Sequence, residues 1–439
     1  MNTNVKQSEP SSAWATWLAC TLGCLAVLVI VHLVAGVGTL PVKWDEKYVK
    51  PVLDAIFASQ WSLHSLVDYD DTKGPVFFWL YAAFGELVGR DLRSLRWLSI
   101  LCTALWAASL GTLLSRDERR PGQLAAVMGL ALTLPYSLVM SQLVMSEPSF
   151  LLGCVIMAML AVRSLGCERI RVRQLNGPIM FGLLFAILLH HRIHVVALAG
   201  AIVLLAAHRD RWKSWPWFAA GLAAGLSRLP LYLRWGGLVG ESFQHRYSVG
   251  LRLDSLVYLS AALLPTIGLT LIVAWIRRRQ LGRQALGAIV IAGGFGAGLA
   301  AMAPPALSSD PQALNFAGPI ASLLRPVAGS PMLLNGLFAM LSALGVMSMA
   351  AMVALTWRRG YEASPIVRYG SWLACLTIIF GWLLSAFAGG DVYDRYLIAF
   401  TFLWPVLCLR LFPRPLALMQ IISQLAMTGQ QVATYLHVP

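Results

Sequence analysis

Apolar residues gather along this chain in runs of about 20, the length that crosses a bilayer as a helix, with short polar segments between them. The runs predict membrane spans over 14–36, 95–114, 122–141, 148–165, 178–190, 194–207, 214–235, 255–276, 284–303, 331–355, 369–388 and 396–412, with 416–436 as a candidate thirteenth. The segment 178–207 reads either as one long helix or as a hairpin of two short ones broken at His190-His191-Arg192. The hairpin puts the basic clusters, among them Arg277/Arg278/Arg279/Arg283 and Arg358/Arg359, on one side of the membrane. A single helix would invert every later loop. Under the hairpin, 20 of the 34 Lys and Arg lie on the inner side and 14 of the 20 Asp and Glu on the outer side. The predicted fold is an all-α polytopic membrane protein of about 12–13 transmembrane helices, forming one transmembrane domain over 1–439.

Composition supports lipid as the solvent. The chain is 58% hydrophobic and 12% charged, whereas a soluble domain carries roughly 25% charge. A net charge of +14 would suit nucleic acid, but the basic residues sit in short inner loops, so no nucleic-acid partner is expected. The apolar run from Trp14 to about Leu40 is too long for a signal-peptide core and reads as an uncleaved first span with the N-terminus inside. Seven cysteines occur, six in apolar runs and Cys167 in a basic loop, with no metal-ligand spacing and no disulfide expected.

The outer segments are then 37–94, 142–147, 236–254, 304–330 and 389–395. The first, at 58 residues, is the longest, and its stretch Pro75–Gly89 suits an interfacial, juxtamembrane helix. Chemistry-bearing residues concentrate on this side. Asp45-Glu46 follows the first span; Asp68, Asp70 and Asp71 precede Lys73-Gly74-Pro75; Glu147 stands alone in Met145-Ser-Glu-Pro148. A carboxylate at the water edge of apolar helices can serve as a general base. Lys73, Arg93, Arg96, Arg246 and Arg395 look unpaired in the sequence, and Lys and Arg bind phosphate. Carboxylates beside phosphate-binding cations suit cleavage of a bond to a membrane-tethered phosphate.

This arrangement resembles the GT-C membrane glycosyltransferases, in the branch with the protein O-mannosyltransferases and the lipid A aminoarabinose transferase. That branch has an Asp-Glu pair soon after span one, then Lys-(Pro/Gly)-Pro, an apolar helix with Trp or Tyr, a Gly and an Arg-rich approach to span two. Here these are Asp45-Glu46, Lys73-Gly74-Pro75, Phe78-Trp79, Gly89 and Arg93-Ser-Leu-Arg96. Glu147, Tyr258–Pro265 and Arg395-Tyr396-Leu397 extend the likeness. Two departures stand out. Thr72 occupies the position before the lysine, and His190-His191-Arg192 replaces a common Lys-Gly pair.

The resemblance implies transfer of a sugar from a polyprenyl-phosphate donor to a lipid A or lipopolysaccharide, other glycan or protein acceptor, at the periplasmic face of a bacterial inner membrane. It implies a catalytic set of Asp45 (the base), Glu46 and Glu147, and a donor-phosphate set of Lys73, Arg246 and Arg395. Tyr48, His191, Arg192 and Tyr396 are expected to contact substrate. The catalytic module is expected over 14–276, with variable helices over 277–439. Membrane lipids are the expected surroundings and a monomer the expected state. The resemblance fixes no cofactor, and Asp45, Glu46 and Glu147 leave a divalent cation such as Mg or Mn open.

Plainer readings stand beside these. Asp45 and Glu46 also read as a solvated loop start, Lys73 as a headgroup anchor, Glu147 as part of a helix N-terminus before Pro148, and Arg93 and Arg96 as anchors of span two. His190 and His194 share a helical face as metal ligands would, but the hairpin turn breaks that helix. A transporter or flippase of a lipid-linked sugar is the main functional alternative. It would carry ionisable groups near mid-bilayer, whereas here only Arg192 and Arg228 interrupt the span interiors. A non-catalytic scaffold has no need of the first outer segment's motif.

Overall fold

A computed structural model describes residues 10–436 apart from 70, 115–117, 167–172, 210–213, 238, 240, 242–243, 245–249, 308–315, 361–362 and 388–391. Arg246, Asp70, Cys167 and part of the 304–330 segment therefore lie outside the described residues.

The fold is all-helical and polytopic. The first half runs α1 (Pro10–Val34), α2 (Glu46–Ala58), α3 (Leu63–Val67), α4 (Pro75–Val88), α5 (Leu92–Leu110), α6 (Pro121–Thr133), α7 (Ser137–Ser141), α8 (Ser146–Gly166), α9 (Arg173–Leu189) and α10 (Val195–Arg209). It continues with α11 (Trp215–Ser227), α12 (Leu229–Trp235), α13 (Leu253–Ile267), α14 (Leu269–Ile276), α15 (Arg278–Met302), α16 (Pro319–Leu324), α17 (Pro331–Gly360), α18 (Pro365–Ser385), α19 (Ile398–Thr401), α20 (Trp404–Leu411) and α21 (Arg414–Leu436). Among the described residues, 6 helices are long and apolar enough to cross a membrane alone, and 7 if the bent pair α13–α14 is one span.

The remaining predicted spans correspond to helices that are shorter, broken or more polar than expected, and the breaks have local causes. The run 122–141 stops at Pro135, with Tyr136 in the left-handed region at φ 70°; Pro135 cannot donate within a helix. The run 214–235 divides at Arg228, two residues before Pro230. The run 255–276 bends by 63° at Gly268, three residues after Pro265. The run 396–412 becomes α19 and α20, with Pro405 opening the latter. Helices α9 and α10 are separate elements joined through His190–His194, the break expected from the loop charges. Helix α21 is continuous but buries Gln420, Gln424, Thr428 and Gln431; Gln424 Oε1 accepts from the Thr133 hydroxyl at 3.1 Å. Such polar contacts bind helices together where lipid supplies no hydrophobic drive between them.

The segment 37–94 folds into a cap with its own core. Val49, Leu53, Ile56 and Phe57 of α2 meet Phe77, Phe78 and Tyr81 of α4 and Leu95 and Leu98 of α5, with Tyr69 among them. Pro75 occupies the first turn of α4, where its missing N–H costs nothing. Asp91 caps α5 by accepting from the Ser94 N–H at 3.0 Å. This cap sits against the bundle through the α9–α10 break: the Gly74 N–H donates to the His191 carbonyl at 3.0 Å, and that of Val76 to the His190 carbonyl at 3.2 Å. Gly74 is required there, because a Cβ would overlap the His190 carbonyl. Far along the chain, a two-residue parallel pair, β1 (Phe316–Ala317) with β2 (Val392–Tyr393), leads into the turn Asp394–Leu397 that carries Arg395.

Candidate active site

Asp45 and Glu46 open α2, preceded by Trp44 in the left-handed region at φ 50°. The two carboxylates then diverge. Glu46 is wholly buried and accepts from Arg96 Nε at 2.9 Å and Nη2 at 2.7 Å, from the Val144 N–H at 2.9 Å and from the Lys43 N–H at 3.0 Å. Arg96 also donates to the carbonyls of Val37, Leu40 and Pro41. The Glu46 oxygens are thus engaged in holding α2 against α5 and the segment that precedes α8. Arg96, which looked unpaired in the sequence, is the other half of that strut.

Asp45 faces the opposite way. Its Oδ1 accepts from Arg395 at 3.2 Å and its Oδ2 lies 3.4 Å from the Lys73 ammonium. Lys73 is itself buried, which corrects the reading of it as a headgroup anchor. Its ammonium also donates to Asp71 Oδ1 at 3.1 Å. That same oxygen takes the backbone N–H of Lys73 at 3.0 Å and of Thr72 at 2.6 Å, an Asp-centred turn that aims the lysine inward. The Tyr69 hydroxyl secures the Lys73 carbonyl at 2.9 Å. Asp71 belongs to the site although the sequence reading placed it only in the loop; its position two residues before Lys73 was the available signal.

A second pair completes the cluster. Glu147, in the first turn of α8, forms an ion pair with Arg192 from the α9–α10 break. The Arg192 guanidinium lies 5.9 Å from the centre of the Tyr396 ring and that of Arg395 lies 5.8 Å from it. The His194 ring is 5.2 Å from Tyr396. Three cations (Lys73, Arg192, Arg395) and three carboxylates (Asp45, Asp71, Glu147) thus converge where the cap, α8, the α9–α10 break and the turn before α19 meet.

The charges set the ionisation of Asp45. Burial pushes its carboxyl up, but the charges of Arg395 and Lys73 outweigh burial and hold it well below the usual carboxylate range. Burial likewise works against the charged Lys73 ammonium, and Asp71 and Asp45 more than offset it, so its pKa is raised.

The three histidines go different ways. His190 meets the Ser227 hydroxyl at 3.3 Å, His191 meets the Ser149 hydroxyl at 2.8 Å, and His194 packs against Tyr396 and Phe400. Among the described residues, no three His, Cys, Asp or Glu side chains come together to hold a metal. Tyr48 lies half-buried on α2 with the Lys47 ammonium 4.9 Å from its ring centre. Arg228 is buried, donates to the Leu189 carbonyl at the end of α9 and stands 5.1 Å from the Tyr232 ring. It closes the helix end on which the Lys73 loop rests.

Residues 72–233 match the family model described as dolichyl-phosphate-mannose-protein mannosyltransferase. No curated protein matches the chain. Among solved structures, the crystal structure of ArnT from Cupriavidus metallidurans bound to undecaprenyl phosphate is 15% identical, covers 95% of this chain and 80% of its own, and has a TM-score of 0.44. The apo structure of the same protein is 14% identical over 91% of this chain and 77% of its own, with a TM-score of 0.41. The family match spans Lys73, Glu147 and Arg192, so this stretch of an all-helical, multi-pass chain is similar to that family.

Proposed function

We propose that this protein is a membrane glycosyltransferase of the GT-C type that moves a sugar from a polyprenyl-phosphate donor to an acceptor at the periplasmic face of a bacterial inner membrane, with inversion at the anomeric carbon. Asp45 takes the proton of the acceptor hydroxyl or amine. The acceptor's electron pair forms the new bond to the anomeric carbon. The bond from that carbon to the phosphate oxygen breaks, and its electrons leave on the polyprenyl phosphate. Lys73 and Arg395 meet the charge that builds there, an electrostatic task for which preorganised cations are suited; Arg246 is assigned to the same task from the sequence. Glu147 and Arg192 orient the sugar or acceptor as a pair, and Tyr48, His191 and Tyr396 line its surroundings. The catalytic module is 14–276, to which the 277–439 region adds Arg395 and Tyr396.

The observation that carries this reading is the meeting of Asp45, Lys73 and Arg395 within 3.4 Å, from segments as far as 350 residues apart. The reading is tested by incubating the protein in nanodiscs with a panel of polyprenyl-phosphate sugars and membrane-fraction acceptors, then following sugar transfer by mass spectrometry. Transfer that requires the lipid-linked sugar supports it. Movement of intact donor across the bilayer, without bond cleavage, would replace it with the flippase alternative.

A further inference from the structure

Asp45 as found is poorly set up to accept a proton. Arg395 and Lys73 hold its two oxygens at 3.2 and 3.4 Å, and a general base works best when its proton affinity suits the operating pH. Lys73 is shared between two carboxylates that hold it differently. Asp71 grips it from within the same loop at 3.1 Å, is 1% exposed, and keeps its other oxygen buried without a hydrogen bond. Asp45 reaches it from α2, and its side chain is 19% exposed. One contact is built into the loop and the other is exchangeable.

We propose that the donor's phosphate unlocks the base: it displaces the Asp45 carboxylate from Lys73 and Arg395 while Asp71 keeps Lys73 in place, so that donor must bind before acceptor. This rests on the reading of Asp45 as base and of Lys73 and Arg395 as the phosphate cradle. The charge balance favours it. Empty, the cluster pairs three cations with three carboxylates. A phosphodiester adds one negative charge and occupies the two cations nearest Asp45. The carboxylate left over gains proton affinity, and when it takes the acceptor's proton the negative charge it sheds reappears on the departing phosphate, which Lys73 and Arg395 hold. The charged groups facing Asp45 are Arg395 from the turn before α19, Lys73 with Asp71 from the cap, Arg192 from the α9–α10 break and Glu147 from α8.

The test compares full-length wild type, Asp45→Asn and Asp71→Asn in zwitterionic nanodiscs for binding of a short-chain polyprenyl phosphate by calorimetry. Asp45→Asn is expected to bind about tenfold more tightly, because no ion pair has to be broken, and Asp71→Asn more weakly, the exchange being on the order of one ion pair. Equal or weaker binding by Asp45→Asn overturns the proposal, as does a change of the same sign in both variants. The wild type supplies a second measurement independent of any variant's folding. Its affinity for a phosphodiester lipid, whose own charge does not titrate, should rise as pH falls from about 5 to about 3, through the ordinary aspartate range. A flat series overturns the proposal. Turnover is read separately: an Asp45→Asn protein that still transfers sugar at the wild-type rate removes Asp45 as base, whatever the binding series returns.

Discussion

Two ion-pair systems begin at adjacent residues of α2, and they behave differently. Glu46 and Arg96 are 0% and 1% exposed, and both are surrounded by further hydrogen bonds that use their remaining atoms. Asp45, Lys73 and Arg395 are 19%, 6% and 15% exposed, and each cation or carboxylate is within reach of more than one partner. The first system is saturated and joins elements. The second is partly open and its partners are exchangeable. A buried pair with every lone pair engaged is expensive to disturb and has nothing left for a substrate. A partly exposed cluster, whose cations can exchange a carboxylate for a phosphate, does.

That contrast can be broken by mutation. The largest effect is expected from Asp45→Asn, which should lower turnover by ~10²–10⁴-fold in a protein that still purifies as a folded, helical species; normal turnover would return Asp45 to the status of a loop residue. Arg96→Met should act in the opposite sense. It leaves Glu46 charged, buried and unpaired, at a cost of about 3–5 kcal/mol of stability, read as early unfolding and low yield. Adding Glu46→Gln should recover part of that loss, and failure to recover any would show that Arg96 works through its carbonyl contacts alone.

Acidification sharpens the comparison further. Because the Asp45 carboxyl is held below its ordinary range in the folded protein, its contribution to stability is fully present above the unfolded value near 3.9 and is lost as pH falls through the lower folded value. The acid limb of the wild-type unfolding curve should therefore be steeper than that of Asp45→Asn. The smallest effect is expected one and two turns further along the same helix. Lys50 and Asp54 form an i,i+4 pair that is 43% and 50% exposed, so Lys50→Ala should change stability by only about 0.3–0.5 kcal/mol and leave transfer unaltered.

Much of this was legible along the chain. Asp45, Lys73 and Glu147 stood out because they are charged residues at fixed intervals beside apolar helices, and the α9–α10 break followed from the charge of the loops around it. The sequence does not separate Asp45 from Glu46, because adjacent residues at a helix start point in different directions and only the position of Arg96 decides which carboxylate it binds. Asp71 was overlooked because its role depends on a turn that folds its carboxylate back onto Lys73. The breaks at Pro135, Arg228 and Gly268 were hidden within runs whose hydropathy is unaffected by a kink.

The sequence by itself determined the lipid solvent and the approximate placement of the membrane helices, because these depend on hydrophobicity summed over local windows. Only the tertiary structure decided which charges meet. Arg395 reaches Asp45 across 350 residues of chain, and Lys73 is aimed inward because Gly74 lets the cap rest on the carbonyls at the α9–α10 break. Ion pairing depends on distances of a few ångströms between side chains, and no local pattern encodes a distance that the packing of the whole bundle sets.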